Sequence, residues 1–246
     1  MARAIVIEKL DVAYGGIQAL FNVGLTVEAG EIVTVLGANG AGKTTLLNTV
    51  AGLVKARSGR VEIDGVAING WRTEKIAQSG VKLVPEGRRI FTRLTVEENL
   101  RLGGYSLANA VFRSRFDELA ALFPLLGQRR GSYAGYLSGG EQQIVAVSRA
   151  LISKPDVLLL DEPSAGLSPI ATATVYDSLA RVAAETSITM LVVEQNVRWA
   201  LKIASRGYVL DLGSVKLAGT RAELEGDSRV MALYLGENDD TEAIAS

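Results

Sequence analysis

Short apolar runs separated by turn residues are the main pattern along the chain. Nearly uninterrupted runs are typical of strands buried on both faces, as in a parallel sheet, and they cover residues 32–36, 81–84, 157–160 and 190–193. Shorter runs bounded by turn residues predict antiparallel strands, at residues 4–10, 24–27, 60–63, 66–68, 208–212 and 214–218. Alternation of strands with helices, such as residues 197–204, predicts an α/β fold with an antiparallel β edge.

The pattern changes to helical spacing between residues 87 and 150. Within this region, residues 95–102 and 114–122 predict helices, and Thr95 with Glu98 has the spacing of a capping box. We therefore predict a core of residues 1–86 and 151–235, an inserted helical subdomain of residues 87–150 and a polar tail of residues 236–246.

Composition limits the class of protein. The 246 residues, 48% of them hydrophobic, suffice for one large domain or a core with one subdomain. A net charge of −1 without a basic stripe argues against a nucleic-acid partner, and the absence of cysteine fits a reducing compartment. Because no apolar run approaches the roughly 20 residues of a membrane span and no secretory leader pattern is present, we expect a cytoplasmic protein that reaches membranes through partners.

A glycine-rich segment joins the strand at residues 32–36 to a predicted helix. Its sequence, Gly-Ala-Asn-Gly-Ala-Gly-Lys-Thr-Thr, has the spacing of a phosphate-binding loop. The glycines let the backbone turn its N–H groups inward, and the helix start adds to this anion site. Lys43 supplies a charge for the outer phosphates, and Thr44 a hydroxyl for Mg²⁺. The predicted ATP ligands are Gly37, Asn39, Gly40, Ala41, Gly42, Lys43, Thr44 and Thr45.

Two carboxylates follow the apolar run at residues 157–160, at the strand end where α/β sheets bind ligands. Asp161 is placed to hold Mg²⁺, directly or through water. Glu162 points elsewhere and can polarise an attacking water as a general base. Two solvated carboxylates at a strand end are the alternative, which the phosphate loop upstream disfavours.

A helix start precedes that strand, at Ser138-Gly139-Gly140-Glu141. Alone it indicates a well-capped helix whose open N-terminus makes a second anion site. In this order and spacing, the three motifs resemble those of ATP-binding cassette (ABC) ATPases, from about residue 4 to residue 235. The resemblance implies a RecA-like phosphate-loop core. It also implies a head-to-tail dimer in which Ser138, Gly139, Gly140 and Glu141 of one subunit close over ATP held by another.

The resemblance assigns further positions one at a time. Tyr14 stands where the family stacks an aromatic on adenine, although a packing role is equally open. Glu86 replaces the common glutamine of a loop that meets Mg²⁺ and the transmembrane partner. Ser168 replaces a common aspartate, and Gln195 replaces the histidine that reaches the γ-phosphate. These departures put intersubunit coupling and the switch mechanism in doubt, rather than ATP binding.

Several motifs together resemble one branch, the smaller ATPase subunit of branched-chain amino acid importers; they are Pro-Glu-Gly-Arg-Arg, Leu-Thr-Val-Glu-Glu-Asn-Leu, Ser-Gly-Gly-Glu-Gln-Gln, Gly-Leu-Ser-Pro and Val-Glu-Gln-Asn. This resemblance implies a second ATPase subunit, transmembrane permeases, an indirect periplasmic binding protein and a peripheral place on the inner face of the membrane. The alternatives are a urea or amide importer of the same branch, a non-transport ABC ATPase, and a regulatory subunit that binds ATP without hydrolysing it.

Overall fold

The structure is a computed structural model, and it describes residues 2–230. The polar tail predicted at residues 236–246 lies outside this part. The strands are β1 (Ile5–Tyr14), β2 (Ile17–Val27), β3 (Ile32–Leu36), β4 (Ser58–Ile63), β5 (Val66–Ala67), β6 (Val81–Val84), β7 (Val157–Asp161), β8 (Thr189–Glu194), β9 (Arg206–Asp211) and β10 (Ser214–Thr220). The α-helices are α1 (Lys43–Val50), α2 (Thr73–Gln78), α3 (Val96–Gly103), α4 (Asn109–Leu122), α5 (Pro124–Gln128), α6 (Gly139–Leu151), α7 (Pro169–Thr186), α8 (Val197–Ile203) and α9 (Arg221–Gly226).

The strands form two sheets. One has six strands in the order β10-β9-β3-β8-β7-β6, in which the neighbouring pairs are parallel except for the antiparallel edge pair β9–β10. The other has four strands in the order β2-β1-β4-β5, paired antiparallel. The predicted α/β class with an antiparallel β edge is therefore confirmed.

The smaller sheet and α1 cover one face of the six-stranded sheet, and α3, α4, α6 and α7 cover the other. Along β7, Val157 and Leu159 belong to the apolar cluster shared with the smaller sheet and α1. Leu158 and Leu160 belong to a second cluster, shared with α3, α4, α6 and α7. Since successive side chains point to opposite faces and both faces are covered, β7 is apolar at each of residues 157–160, ahead of Asp161 at its end.

Helices α3, α6 and α7 each begin directly after a capping side chain. Thr95 and Ser138 each form the predicted capping box, and Ser168 caps α7 ahead of its proline. Helix α4 begins at Asn109, five residues before the predicted start at residue 114. The sequence gives no sign of this start, because no side chain caps the helix there. The limits of a helical subdomain at residues 87–150 remain a prediction. No helix within residues 2–230 combines the length and hydropathy needed to cross a bilayer.

Candidate nucleotide-binding and hydrolysis site

The phosphate loop connects β3 to α1, and its glycines serve two different needs. Gly40 and Gly42 have left-handed backbones, with φ of 81° and 104°, a conformation that glycine adopts without steric cost. At position 37, glycine is required because the backbone of β9 lies close by. A Cβ built there would lie 2.3 Å from the carbonyl oxygen of Leu210. The predicted tight turn is thus correct for Gly40 and Gly42, whereas Gly37 allows contact with β9.

Helix α1 opens onto this loop with an uncapped N-terminus. Its N-cap residue is Gly42, and no side chain in the described residues caps the helix. The first N–H groups of a helix lack intrahelical partners and carry the positive end of the helix dipole. This end of α1 therefore fits a phosphate group.

Lys43 is buried, and its ammonium group is enclosed by oxygen atoms. Lys43 Nζ donates to the carbonyl oxygens of Gly37 at 2.6 Å and Ala38 at 3.0 Å, and lies 3.0 Å from Glu162 Oε1. An ammonium has three donors, so these contacts use all of them. A phosphate oxygen that takes a hydrogen bond from Lys43 must therefore displace one of these acceptors.

Thr44 and Asp161 meet beside Lys43. The Thr44 hydroxyl donates to Asp161 Oδ1 at 3.1 Å. The pKa of Asp161 is raised to about 6, mainly by burial and also by the nearby carboxylates of Glu162 and Glu86, while the Thr44 hydrogen bond opposes the shift. A buried carboxylate repelled by two others, next to a hydroxyl, fits the oxygen ligands that Mg²⁺ takes from proteins, with substrate phosphates supplying the rest.

Glu162 follows β7 and lines a pocket together with Lys43 and Thr44. Its backbone is left-handed, with φ of 44°, and its N–H donates to the Val193 carbonyl oxygen at 2.9 Å. The pocket encloses about 590 Å³. It is lined by Gln18, Ala19, Phe21, Asn39, Gly40, Gly42, Lys43, Thr44, Thr45, Glu86, Glu162, Leu212 and Gly213.

Two aromatic side chains lie near this pocket. Tyr14 is half exposed at the end of β1, with its hydroxyl 3.4 Å from Thr45 Oγ1, and its adenine contact remains a prediction. Phe21, on β2, lines the pocket directly and escaped the sequence analysis. Its only sequence signal is an aromatic residue in a strand, which packing explains equally well.

The residues at the start of α6 lie apart from the phosphate loop. The Ser138 hydroxyl accepts from the Glu141 N–H at 3.4 Å, and the Ser138 N–H donates to Glu141 Oε2 at 2.7 Å. Ser138, Gly140 and Glu141 line a different pocket of about 580 Å³, together with residues of α7. None of residues 138–141 lines the pocket around Lys43. Within one copy of the chain, these two predicted halves of the site do not meet.

Two contacts tie the start of α6 to its neighbours. A Cβ built at Gly140 would lie 2.7 Å from Ala171 Cβ, so α6 and α7 touch there without space for a side chain. The Arg88 guanidinium donates to Gln142 Oε1 at 3.3 Å and to the Gly166 carbonyl oxygen at 3.1 Å. Arg88 thereby joins the loop after Glu86 to α6 and to the segment before α7, which the sequence analysis did not foresee.

Gln195 is half-buried beyond β8 and does not line the pocket around Lys43. Its predicted γ-phosphate contact therefore remains a prediction. The preceding residue, Glu194, was not singled out from sequence, because a carboxylate at a strand end usually reaches solvent. It is buried, and that burial raises its pKa although a hydrogen bond from Tyr176 opposes the shift.

Taken together, strand β3, an anion-binding loop, an uncapped helix start and two carboxylates at the end of β7, two strands away in the same sheet, define a phosphate-loop ATPase. The family model described as ABC transporter matches residues 20–165, and the chain therefore belongs to the ABC transporter family. It is an ABC-type ATPase that binds nucleotide, as its motifs predicted.

Curated relatives resemble nearly the whole chain. The high-affinity branched-chain amino acid transport ATP-binding protein BraG of Pseudomonas aeruginosa is 45% identical, over 93% of this chain and 98% of BraG. The probable branched-chain amino acid transport ATP-binding protein LivF of Archaeoglobus fulgidus is 36% identical, over 93% and 97%. The lipopolysaccharide export system ATP-binding protein LptB of Haemophilus influenzae is also 36% identical, over 94% and 96%.

Solved structures share the fold. The ADP conformation of MJ1267, an ATP-binding cassette of an ABC transporter, superimposes with a TM-score of 0.86 over 96% of this chain and all of that one, at 24% identity. The ATP-binding cassette MJ0796, a dimer in a post-hydrolysis state bound to ADP and phosphate, gives a TM-score of 0.78 at 27% identity, over 88% and 98%.

Proposed function

We propose that this protein is the ATP-hydrolysing subunit of an importer for branched-chain amino acids, held at the inner face of the membrane by permease subunits. The observation that carries the proposal is the 45% identity with BraG over 93% of the chain. The lower identity with LptB, 36% over a similar length, makes lipopolysaccharide export the second candidate.

The two candidates can be distinguished by identifying the membrane proteins that copurify with this chain from native membranes. We expect two permeases and a second ATPase subunit, which is either another copy of this chain or a different one. Uptake of radiolabelled leucine should then fall when the chain is deleted and return when it is restored. Copurification of export permeases with unchanged leucine uptake would favour the second candidate.

We assign ATP binding to the loop at residues 37–45. Its N–H groups and those at the start of α1 donate hydrogen bonds to the phosphate oxygens. Lys43 exchanges its contact with Glu162 for one with a phosphate oxygen, which leaves the Glu162 carboxylate free. Thr44 and Asp161 are the proposed Mg²⁺ ligands, with Glu86 near the ion. Bound Mg²⁺ would neutralise phosphate charge.

Glu162 is the proposed general base. Water attacks the γ-phosphorus, Glu162 accepts a proton from it, and the bond to the bridging oxygen of ADP breaks to release inorganic phosphate. Gln195 is proposed to hold the γ-phosphate and orient the water through its amide, which donates and accepts hydrogen bonds without changing charge.

We further propose a head-to-tail dimer, in which Ser138 and Gly140 of one subunit cover the nucleotide of the other. Two observations support this arrangement. Residues 138–141 line a different pocket from Lys43 within one copy, and a cassette of 27% identity forms a dimer after hydrolysis.

The loop and the adjoining part of the helical region, at about residues 85–99, are proposed to contact the permease. Gly87, Arg88 and Arg89 have left-handed backbones in succession, with φ of 76°, 63° and 44°, and Arg149 donates to the Arg89 carbonyl oxygen at 2.8 Å. Asn99 accepts from the Phe91 N–H and donates to the Phe91 carbonyl oxygen, both at 2.9 Å. These contacts fix the backbone of the loop while the Phe91 ring is 52% exposed.

A cysteine at Phe91 should therefore form crosslinks to a permease in the assembled transporter. The chain contains no cysteine, so a single introduced thiol reports from one position. Val66→Cys on β5 is the matched control, because Val66 is also 52% exposed and lies on the smaller sheet. Crosslinks from the Val66 position alone would contradict the proposed contact.

Gln195→Ala should lower turnover sharply and largely spare ATP binding. The chain contains no histidine. The pH profile of wild-type turnover at saturating MgATP should therefore show no change caused by histidine protonation between about pH 6 and 8. In Gln195→His, turnover should change with pH near the usual imidazole pKa of about 6.5. Wild-type turnover in Gln195→Ala would show that Gln195 is not the γ-phosphate contact.

A further inference from the structure

Glu194 is a carboxylate in the interior of the protein that has no role in the mechanism proposed above. It is the last residue of β8, and 1% of its surface is exposed. A buried carboxylate is costly unless hydrogen bonds replace its hydration. Its partners therefore indicate what the fold gains by keeping it.

Four donors surround the Glu194 carboxylate, two at each oxygen. The Tyr176 hydroxyl and the Ser164 N–H donate to Oε1 at 2.7 and 3.0 Å. The N–H groups of Gln195 and Asn196 donate to Oε2 at 3.1 and 3.3 Å. One oxygen therefore holds the segment after Glu162, and the other holds the segment that carries Gln195.

The segment held by Oε1 contains an unfavourable backbone. Glu162 is left-handed, with φ of 44°, a conformation that persists in a residue with a Cβ only when its surroundings enforce it. The Glu162 N–H donates to the Val193 carbonyl oxygen at 2.9 Å. Two residues later, the Ser164 N–H donates to Glu194. Consecutive residues of β8 thus hold the turn at Glu162 from both sides.

The start of the phosphate loop is attached to the same residue. The Gly37 N–H donates to the Glu194 carbonyl oxygen at 3.3 Å, and Leu36 pairs with Glu194 in the parallel register of β3 and β8. Glu194 therefore contacts all three segments that surround the γ-phosphate in the proposed mechanism.

We propose that Glu194 is a positioning residue for hydrolysis, which fixes the Glu162 turn and the Gln195 segment at the separation that places the attacking water. This inference rests on the proposed roles of Glu162 and Gln195. A carboxylate that only fills a buried polar site would stabilise the fold and leave turnover unaffected.

The chemistry of this site requires a group that only accepts. An ionised carboxylate offers lone pairs on both oxygens, whereas an amide has one acceptor and one donor end. In Glu194→Gln, the NH₂ group faces either two N–H groups or Ser164 N–H with the Tyr176 hydroxyl. Whichever way the amide turns, at least one of the two segments loses its partner and shifts.

Glu194→Gln should therefore lower kcat on the order of 10- to 100-fold, as expected when a reacting group is displaced by about 1 Å. The KM for MgATP should not change, because Lys43, Thr44 and the loop glycines are untouched. Tyr176→Phe removes one donor of four and should lower kcat less, again without a change in KM. Steady-state ATPase assays and thermal melting of the full chain give these values.

Glu31→Gln is the matched control. Glu31 accepts from Arg206, Ser205 and the Glu28 N–H, so this substitution also removes a well-bonded carboxylate, but far from the phosphate loop. It should lower the melting temperature and leave kcat unchanged.

Wild-type kcat in folded Glu194→Gln would overturn the proposal, as would a fall in kcat that Glu31→Gln matches. If Glu194→Gln does not fold, Tyr176→Phe decides, and wild-type kcat in that variant overturns the proposal. Glu162→Gln, assayed in parallel, distinguishes a failure of Glu162 as the proposed base from a failure of Glu194 as the positioning residue. Normal turnover there refutes Glu162 as the base, whereas its loss together with normal Glu194→Gln refutes only the positioning role.

Discussion

Lys43→Ala should abolish tight binding of MgATP. Truncating one partner of a buried charge contact costs about 2–5 kcal/mol, which corresponds to a roughly 30- to 4000-fold rise in Kd. The effect belongs at the upper end, because Lys43 is buried and its charge is desolvated in the pocket. The substitution also leaves the Glu162 carboxylate without its cation, which adds repulsion toward the incoming phosphates.

Titration of both proteins with a fluorescent ATP analogue and Mg²⁺ measures this loss. Lys55→Ala is the matched control, because Lys55 is exposed on the loop after α1 and should leave the affinity unchanged. Thermal melting separates lost binding from lost folding, since the carbonyl oxygens of Gly37 and Ala38 also lose a donor. Equal affinities in wild-type and Lys43→Ala proteins would refute the assigned phosphate site.

Glu162→Gln should lose most hydrolysis, by about 10²- to 10⁴-fold for a positioned general base, and still bind ATP. The amide keeps the shape of the side chain and removes its basicity. Because Lys43 must leave Glu162 to reach a phosphate, replacing the ion pair by a weaker contact should leave ATP affinity at least as high as in the wild type.

The same variant should accumulate the proposed head-to-tail dimer with ATP bound, because the dimer would form and its ATP would not be hydrolysed. Light scattering with and without MgATP detects it. Glu185→Gln, an exposed position near the end of α7, is the control that should hydrolyse ATP normally and remain unchanged in size. Normal turnover in Glu162→Gln would mean that another group holds the water.

The features predicted correctly from sequence are those that a few neighbouring residues determine. The apolar run of β7, the capping boxes at Thr95 and Ser138 and the loop glycines each express a local requirement of backbone or burial. The left-handed φ at Gly40 and Gly42 is such a requirement, and the spacing of the motif contains it.

The missed features depend on residues far apart in the chain. Tyr176 lies on one face of an amphipathic helix, and only the packing of α7 against the sheet brings its hydroxyl to Glu194. Arg88 resembles any charged loop residue until the fold places Gln142 and Gly166 beside it. Gly37 looked like a turn residue, although the backbone of β9 is what excludes its side chain. Periodicity and spacing contain no information about such contacts.

The close contact between Gly140 and Ala171 has a mechanical consequence. Packed interiors resist compression, so the start of α7 cannot yield locally when the start of α6 is pushed. In the proposed dimer, a displacement of Ser138 by the nucleotide of the opposing subunit would therefore also move the start of α7 and the segment that joins it to Glu162. The two helix ends would move together, and the methyl group of Gly140→Ala, for which there is no space, would force α6 and α7 apart at this contact.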